Sequence, residues 1–166
     1  MHVEGVRPAG VCVRFLSKKS MNTIDSLVNV VTAGSERPDS STGATALEII
    51  RQVEAGLPVA TLDALVDRGH LLPAEVDRLI IPRRTLAHRR ANNQRLSPDE
   101  SDRVVRVAHI LDVAHDVFDD EERAGTWLRG PLGLLDGRAP LALLATERGA
   151  RLVEQLLQRI AHGLFS

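Results

Sequence analysis

Tyrosine is absent from this chain, cysteine occurs once, at Cys12, and the remaining aromatics are three Phe and one Trp. A single Cys cannot close an internal disulfide, and without a Cys cluster a structural zinc has no thiolate ligands. An excess of one charge is lacking too, because 21 Lys and Arg stand against 22 Asp and Glu, for a formal net charge of -1. So balanced a chain does not coat nucleic acid along its whole surface, although it can carry a local basic patch. No apolar run approaches the roughly 18 residues that cross a bilayer. The stretch Val11-Cys12-Val13-Arg14-Phe15-Leu16 is short and broken by Arg14, and Lys18 and Lys19 follow it, the wrong order for a secretory signal. The expected location is the cytoplasm, without membrane contact. Enzyme signatures are also missing. No Gly-rich loop ends in Gly-Lys-Ser/Thr, no Gly-x-Ser-x-Gly occurs, and Cys12 has no His beside it. Neither catalysis nor a cofactor is expected.

What is present is 166 residues, 43% of them hydrophobic, enough for one compact domain or two small ones and too apolar for wholesale disorder. Residues 1–43 read as a poorly ordered leader and linker. The piece Thr32 to Gly43 is rich in Ser, Thr and Gly and offers almost nothing to bury. Met21 opens a second start, Met21-Asn22-Thr23-Ile24, so residues 1–20 are either a leader or a matter of start-site choice. From Ala44 onward the pattern is helical. Leu47, Ile50 and Val53 carry a rhythm of three residues, ended by Gly56 and Pro58. Short helices follow with Leu62, Leu65 and Val66 inward, and then with Val76, Leu79 and Ile80 inward. Ser97-Pro98-Asp99-Glu100 spells a capping box before a long helix whose stripe is Val104, Val107, Ala108, Leu111, Ala114, Val117 and Phe118. Asp119 with Glu122 is expected to cap the next helix, and Thr146 the last one, Glu147 to His162. No alternating strand appears, so the fold class is all-α, divided as 44–95 and 96–166.

Four segments bear on function. Pro82 to Arg95 holds five Arg, one His and no acid, on a short helix behind another short helix and a turn. That is how a helix-turn-helix reader of DNA is built, with Arg forking onto phosphate or guanine and Asn matching adenine. Arg83, Arg84, Thr85, His88 and Arg89 are expected to face a major groove, Arg90 and Arg95 to contact phosphates, and Asn92 to belong to the same surface. The alternative is a solvated arginine face, or one paired with the acidic stretch behind it. That stretch, Asp99 to Glu122, has nine acids against two Arg. It reads as helix-terminal capping or as a docking face for a basic partner. His109, Asp112, His115 and Asp116 share the long helix, but the two His are six apart and point to different sides, so a metal site is not expected. Last, Trp127 to Leu144 is unusually apolar for a segment holding a loop. Leu132, Leu134 and Leu135 either pack under the last helix or form a contact patch, and the terminal Leu164-Phe165 pair suits insertion into a partner.

With these residues in view, the second half resembles the C-terminal domain of the Xre/MbcA/ParS antitoxins. The run comprises Leu96-Ser-Pro-Asp-Glu-Ser-Asp-Arg103, Arg106-Val-Ala108, Ala114-His-Asp-Val-Phe118, Ala124 with Trp127-Leu128, Gly137 with Pro140-Leu141, Thr146-Glu-Arg-Gly149 with Val153 and Leu157, and Arg159-Ile160 with Gly163. Thr61 to Asn92 resembles the family's Xre-type helix-turn-helix. The resemblance implies a bacterial homodimer that binds operator DNA of its own operon and holds a RES-domain toxin inactive, in a higher-order complex, by covering its active-site cleft. It implies that such a toxin is similar to ADP-ribosyltransferases and uses NAD. It places toxin contacts at Trp127, Arg129, Leu132, Leu134, Leu135, Asp136, Arg138, Arg159, Gly163, Leu164 and Phe165. The chain departs from the family's pattern at Leu132, Ala139 and Ala142, each of which replaces a polar residue, so the loop and the following helix cap are expected to differ in detail. Two other readings remain. One is a stand-alone helix-turn-helix transcription regulator whose C-terminal half only dimerises, burying Leu134 and Leu135 between copies. The other is a toxin-binding module without DNA function, whose Arg83 to Arg95 pair with acids of the same chain.

Overall fold

The computed structural model describes residues 42–163, with side chains from 46 onward. The leader, most of the linker, and the Leu164–Phe165 tail lie outside the described residues. Thr42 and Gly43, read as linker, already belong to the first helix. The order is α1 Thr42–Ala55, α2 Ala60–Asp67, α3 Pro73–Leu79, α4 Arg83–Ala91, α5 Pro98–Phe118, α6 Glu121–Arg129, α7 Pro140–Leu143 and α8 Glu147–Ala161. A single 3-10 turn, Gly133–Leu135, lies between α6 and α7, and the one extended pairing among the described residues joins Leu132 to Arg138. The all-α expectation holds.

α5 is the axis of the molecule and packs against α1, α6 and α8. It starts where the capping box places it. Ser97 Oγ accepts from the Glu100 N–H at 3.2 Å, while the Ser97 N–H donates to Glu100 Oε2 at 2.7 Å. Its burial is wider than a stripe, because Ile110 and Asp112 are buried along with Val104, Val107, Ala108 and Ala114. At 100° per residue these positions span about 200° of the helix circumference, as a rod with neighbours on several sides requires. Leu111, Val117 and Phe118 sit at the core's edge instead. Each fully buried side chain of this kind contributes roughly 1.5–3 kcal/mol.

One continuous core runs from Leu57, Leu62 and Leu65 through Val104 and Val107 to Val153 and Leu157. The junction at Arg95–Leu96 therefore breaks no core. Backbone meets backbone there, since the Leu96 N–H donates to Leu57 O at 2.9 Å. Gly56 lies so close that a Cβ would stand 2.2 Å from Leu96 O, and its φ of +81° is open to glycine at little cost. Ser101, buried, accepts from the Leu57 N–H at 2.8 Å and ties the same loop to α5.

Two local expectations are corrected. Asp120 caps α6, taking the Arg123 N–H at 2.7 Å, while Asp119 ends α5 in the left-handed region with φ 50°. The cap falls one residue later than the spacing suggested because α5 needs a terminal residue of its own. On α1, Leu47 and Ile50 are 58% and 52% exposed. Ile49 and Val53, four residues apart and half-buried, form the inward line instead.

Candidate nucleic-acid and partner interfaces

α3, the turn Ile80-Ile81-Pro82 and α4 form the helix-turn-helix. The turn is fastened from inside, because Ile80 and Ile81 are buried and Arg103 Nη1 donates to Ile80 O at 3.1 Å. Pro82 precedes α4 without a side-chain cap. The cap comes from α3, where Asp77 Oδ1 accepts the Arg83 N–H at 2.5 Å. Asp77→Ala is expected to lower stability by about 1 kcal/mol, the ordinary worth of an N-cap, read as a shift of the urea midpoint at unchanged slope.

On α4 the one buried residue is Leu86. Ala87, His88 and Arg84 lie on the side away from it, and Arg83, in the first turn, is exposed with them. Neither the Arg83 nor the Arg84 guanidinium has an acidic partner among the described residues. The other expected DNA contacts are occupied. Arg89 is an internal strut, with Nε 3.0 Å from Glu100 Oε2 and Nη1 donating to Arg95 O at 2.9 Å. Arg90 pairs with Asp63. Arg95 Nε donates to Gly56 O at 2.5 Å. Asn92 Nδ2 turns back to the His88 carbonyl at 2.8 Å and closes the C-terminus of α4. Thr85 is half-buried on the inward flank. Periodicity alone does not separate the two sets, because at 100° per residue Arg83 and Arg89 both lie about 60° from Leu86, one on either side. The bonds of Arg89 to Glu100 and Arg95 set it apart.

The acidic stretch is used mainly at helix starts. Asp99 and Glu100 lie in the first turn of α5, and Glu121 and Glu122 in that of α6 behind the Asp120 cap. Asp102 pairs with Arg106. His109 Nε2 lies 3.0 Å from Glu154 Oε1 on α8, and Asp112 is buried and engaged within the chain. Among the described residues no three His, Cys, Asp or Glu gather to hold a metal.

On the far side, α6 delivers the apolar loop. Trp127 is half-buried against Phe118, ring centroids 5.7 Å apart at 43°. The loop is tight: the Leu132 N–H donates to Arg138 O at 3.2 Å, the Gly137 N–H to Leu132 O at 3.0 Å and the Arg138 N–H to Leu135 O at 3.0 Å. Asp136 and Gly137 turn it with φ of 53° and 75°. The leucines divide. Leu135 is buried, Leu132 is half-buried and Leu134 is 70% exposed. Leu135 is thus an anchor of the loop and presents no free surface. The departure at Ala139 leaves α7 without a side-chain cap.

Arg129, expected as a partner contact, is exposed and engaged across the surface with α3. Its Nε and Nη2 meet Glu75 Oε1 and Oε2 at 2.7 and 2.9 Å, and Nη2 also points to His70 O at 3.3 Å. The bond to Glu75 raises the Arg129 guanidinium above its usual value against the lowering by burial. Asp136, Arg138, Arg159 and Gly163 are exposed. No helix among the described residues is long and apolar enough to cross a membrane.

Comparison with known proteins matches residues 48–109 to the antitoxin Xre-like helix-turn-helix domain and residues 113–163 to the antitoxin Xre/MbcA/ParS C-terminal toxin-binding domain. "Antitoxin Xre" of Pseudomonas putida is 40% identical over 120 residues, 72% of this chain and 75% of that protein. "Antitoxin Xre" of Yersinia enterocolitica is 36% identical over 120 residues, 71% of this chain and 81% of that one. A "Prs ADP-ribosylating antitoxin" of a Sphingobium species is 29% identical over 133 residues, 74% of this chain and 84% of that protein.

Proposed function

This chain belongs to the Xre/MbcA/ParS antitoxins, a family of antitoxins and helix-turn-helix regulators and not of enzymes, and on that premise we propose that it neutralises a RES-domain toxin and represses its own operon. Neutralisation works by occlusion, with the loop 130–138 and the outer flank of α8 covering the toxin's active-site cleft. Repression works through α4, laid in the major groove by a homodimer whose two copies read half-sites one helical turn apart. The observation that carries the DNA part is the first turn of α4, where two exposed arginines have guanidiniums that meet no acid among the described residues. Cations there oppose the helix dipole, and a phosphate at that helix end relieves the opposition.

For the toxin part, the exposed Leu134 beside the anchored Leu135 supports a preformed apolar contact. The name of the Sphingobium relative, an ADP-ribosylating antitoxin, supports a partner that transfers ADP-ribose. The regulator without a toxin requires both Leu134 and Leu135 between copies, and Leu135 is already buried within its own chain. The pairing of Arg89 and Arg90 with acids of the chain favours the DNA-free reading only in part, because Arg83 and Arg84 stay outside it.

Co-expression with a RES-domain toxin is the direct test. One joint peak on a sizing column, together with restored cell growth, is expected, and two separate peaks overturn the reading. Within that assay Leu134→Asp is expected to leave folding stability within about 0.5 kcal/mol, as exposed sites do, while weakening the complex at least about tenfold, the loss of a small interface anchor. Calorimetric titration of purified partners reads it.

A further inference from the structure

Besides the shared core, polar bonds join α3 to α6 at one side of the helix-turn-helix. Arg129 is the last residue of α6, and its guanidinium fork grips both oxygens of Glu75 on α3. Glu75 is itself fixed, because its Oε2 accepts the Leu72 N–H at 2.8 Å at the start of α3. At the other end of α6, Glu121 Oε1 lies 3.5 Å from His70 Nδ1, just before α3. Both ends of α6 thus hold the segment that leads into α3. Beside the fork an open cleft of about 230 Å³ is lined by Glu75, Arg78, Leu79, Arg129, Leu141 and Ala142, among others. Packing of Val76 and Leu79 in the core holds α3 from one side, and on the cleft side the directional bonds of the fork complete the hold.

We propose that Arg129 is a positioning residue for DNA reading: through Glu75 it holds α3, and with it α4, at the angle to α6 that a major groove requires. This rests on the DNA-binding reading above. Bidentate geometry matters, because a fork fixes direction where a point charge does not. Without it the angle of α3 and α4 is set by core packing alone, and binding has to order the remaining freedom.

The test is a double-mutant cycle on the full chain, using a duplex of its own upstream region as probe. Affinity is read by fluorescence anisotropy well below the unfolding midpoint of each variant. Arg129→Ala is expected to lose about tenfold in DNA affinity. Glu75→Gln, which keeps a cap for α3, is expected to lose severalfold, and the double variant no more than Arg129→Ala alone. Arg129→Lys keeps the charge without the fork and is expected not to restore binding. It also carries the test if Arg129→Ala does not fold. Affinity of a folded Arg129 variant within twofold of the wild type overturns the inference, as does additivity of the two losses. A wild-type chain that does not bind the duplex overturns the DNA reading itself, which keeps the two failures apart.

Discussion

Replacing Arg83 and Arg84 together by Glu is expected to reduce operator affinity by at least about 100-fold while leaving toxin binding intact. Each arginine contact to base or phosphate is worth roughly 1–3 kcal/mol, and reversal adds repulsion to the loss. The same variant is expected to show a shallower dependence of affinity on salt, by about one unit of slope for each phosphate contact removed. Both side chains are exposed and neither guanidinium pairs with an acid among the described residues, while the Asp77 cap holds only the Arg83 backbone, so the fold should tolerate the change. Gel shifts across a salt series read the effect, and an unchanged affinity removes α4 from the DNA interface. The prediction singles out these two among five neighbouring arginines, since Arg89, Arg90 and Arg95 are spent within the molecule.

Gly149→Ala is expected to destabilise the chain by about 2–3 kcal/mol, the range of an overpacked core site. Helix propensity alone argues the opposite, because Ala exceeds Gly by about 1 kcal/mol within a helix. The neighbour decides. A Cβ on Gly149 would stand 2.0 Å from Leu143 O and 2.8 Å from Leu143 C, both backbone atoms of α7. To make room, α7 must move off α8, and buried Leu141 and Leu144 move with it. A melting temperature lower by roughly 5–10 °C is the expected readout for a chain of this size. A rise would show that α7 yields freely.

What the sequence disclosed and withheld follows from the range of each interaction. The Ser97–Glu100 box spans three residues and is legible without a structure, as are Pro98 and Pro140 in their first-turn positions. The Asp77 cap on α4 is not, because it arrives from the preceding helix across six residues and depends on the turn at Ile80–Pro82. The basic helix was legible as a surface, but its division into two sides was not. That division depends on Asp63 and Glu100, 27 and 11 residues away, and on the Gly56 carbonyl, 39 residues away. Likewise the apolar density around Leu132–Leu135 was visible, while the loop's reversal, which sends Leu135 in and Leu134 out, needed left-handed residues at Asp136 and Gly137. The grip of Arg129 on Glu75 was not legible either, because its partner lies 54 residues earlier.

The two stretches that match known domains, 48–109 and 113–163, abut inside α5. Their frontier is the interior of a rod whose ends serve different tasks. The halves are therefore not detachable modules. A transplant of either would have to carry the rod whole, and heating should melt the two in a single cooperative step.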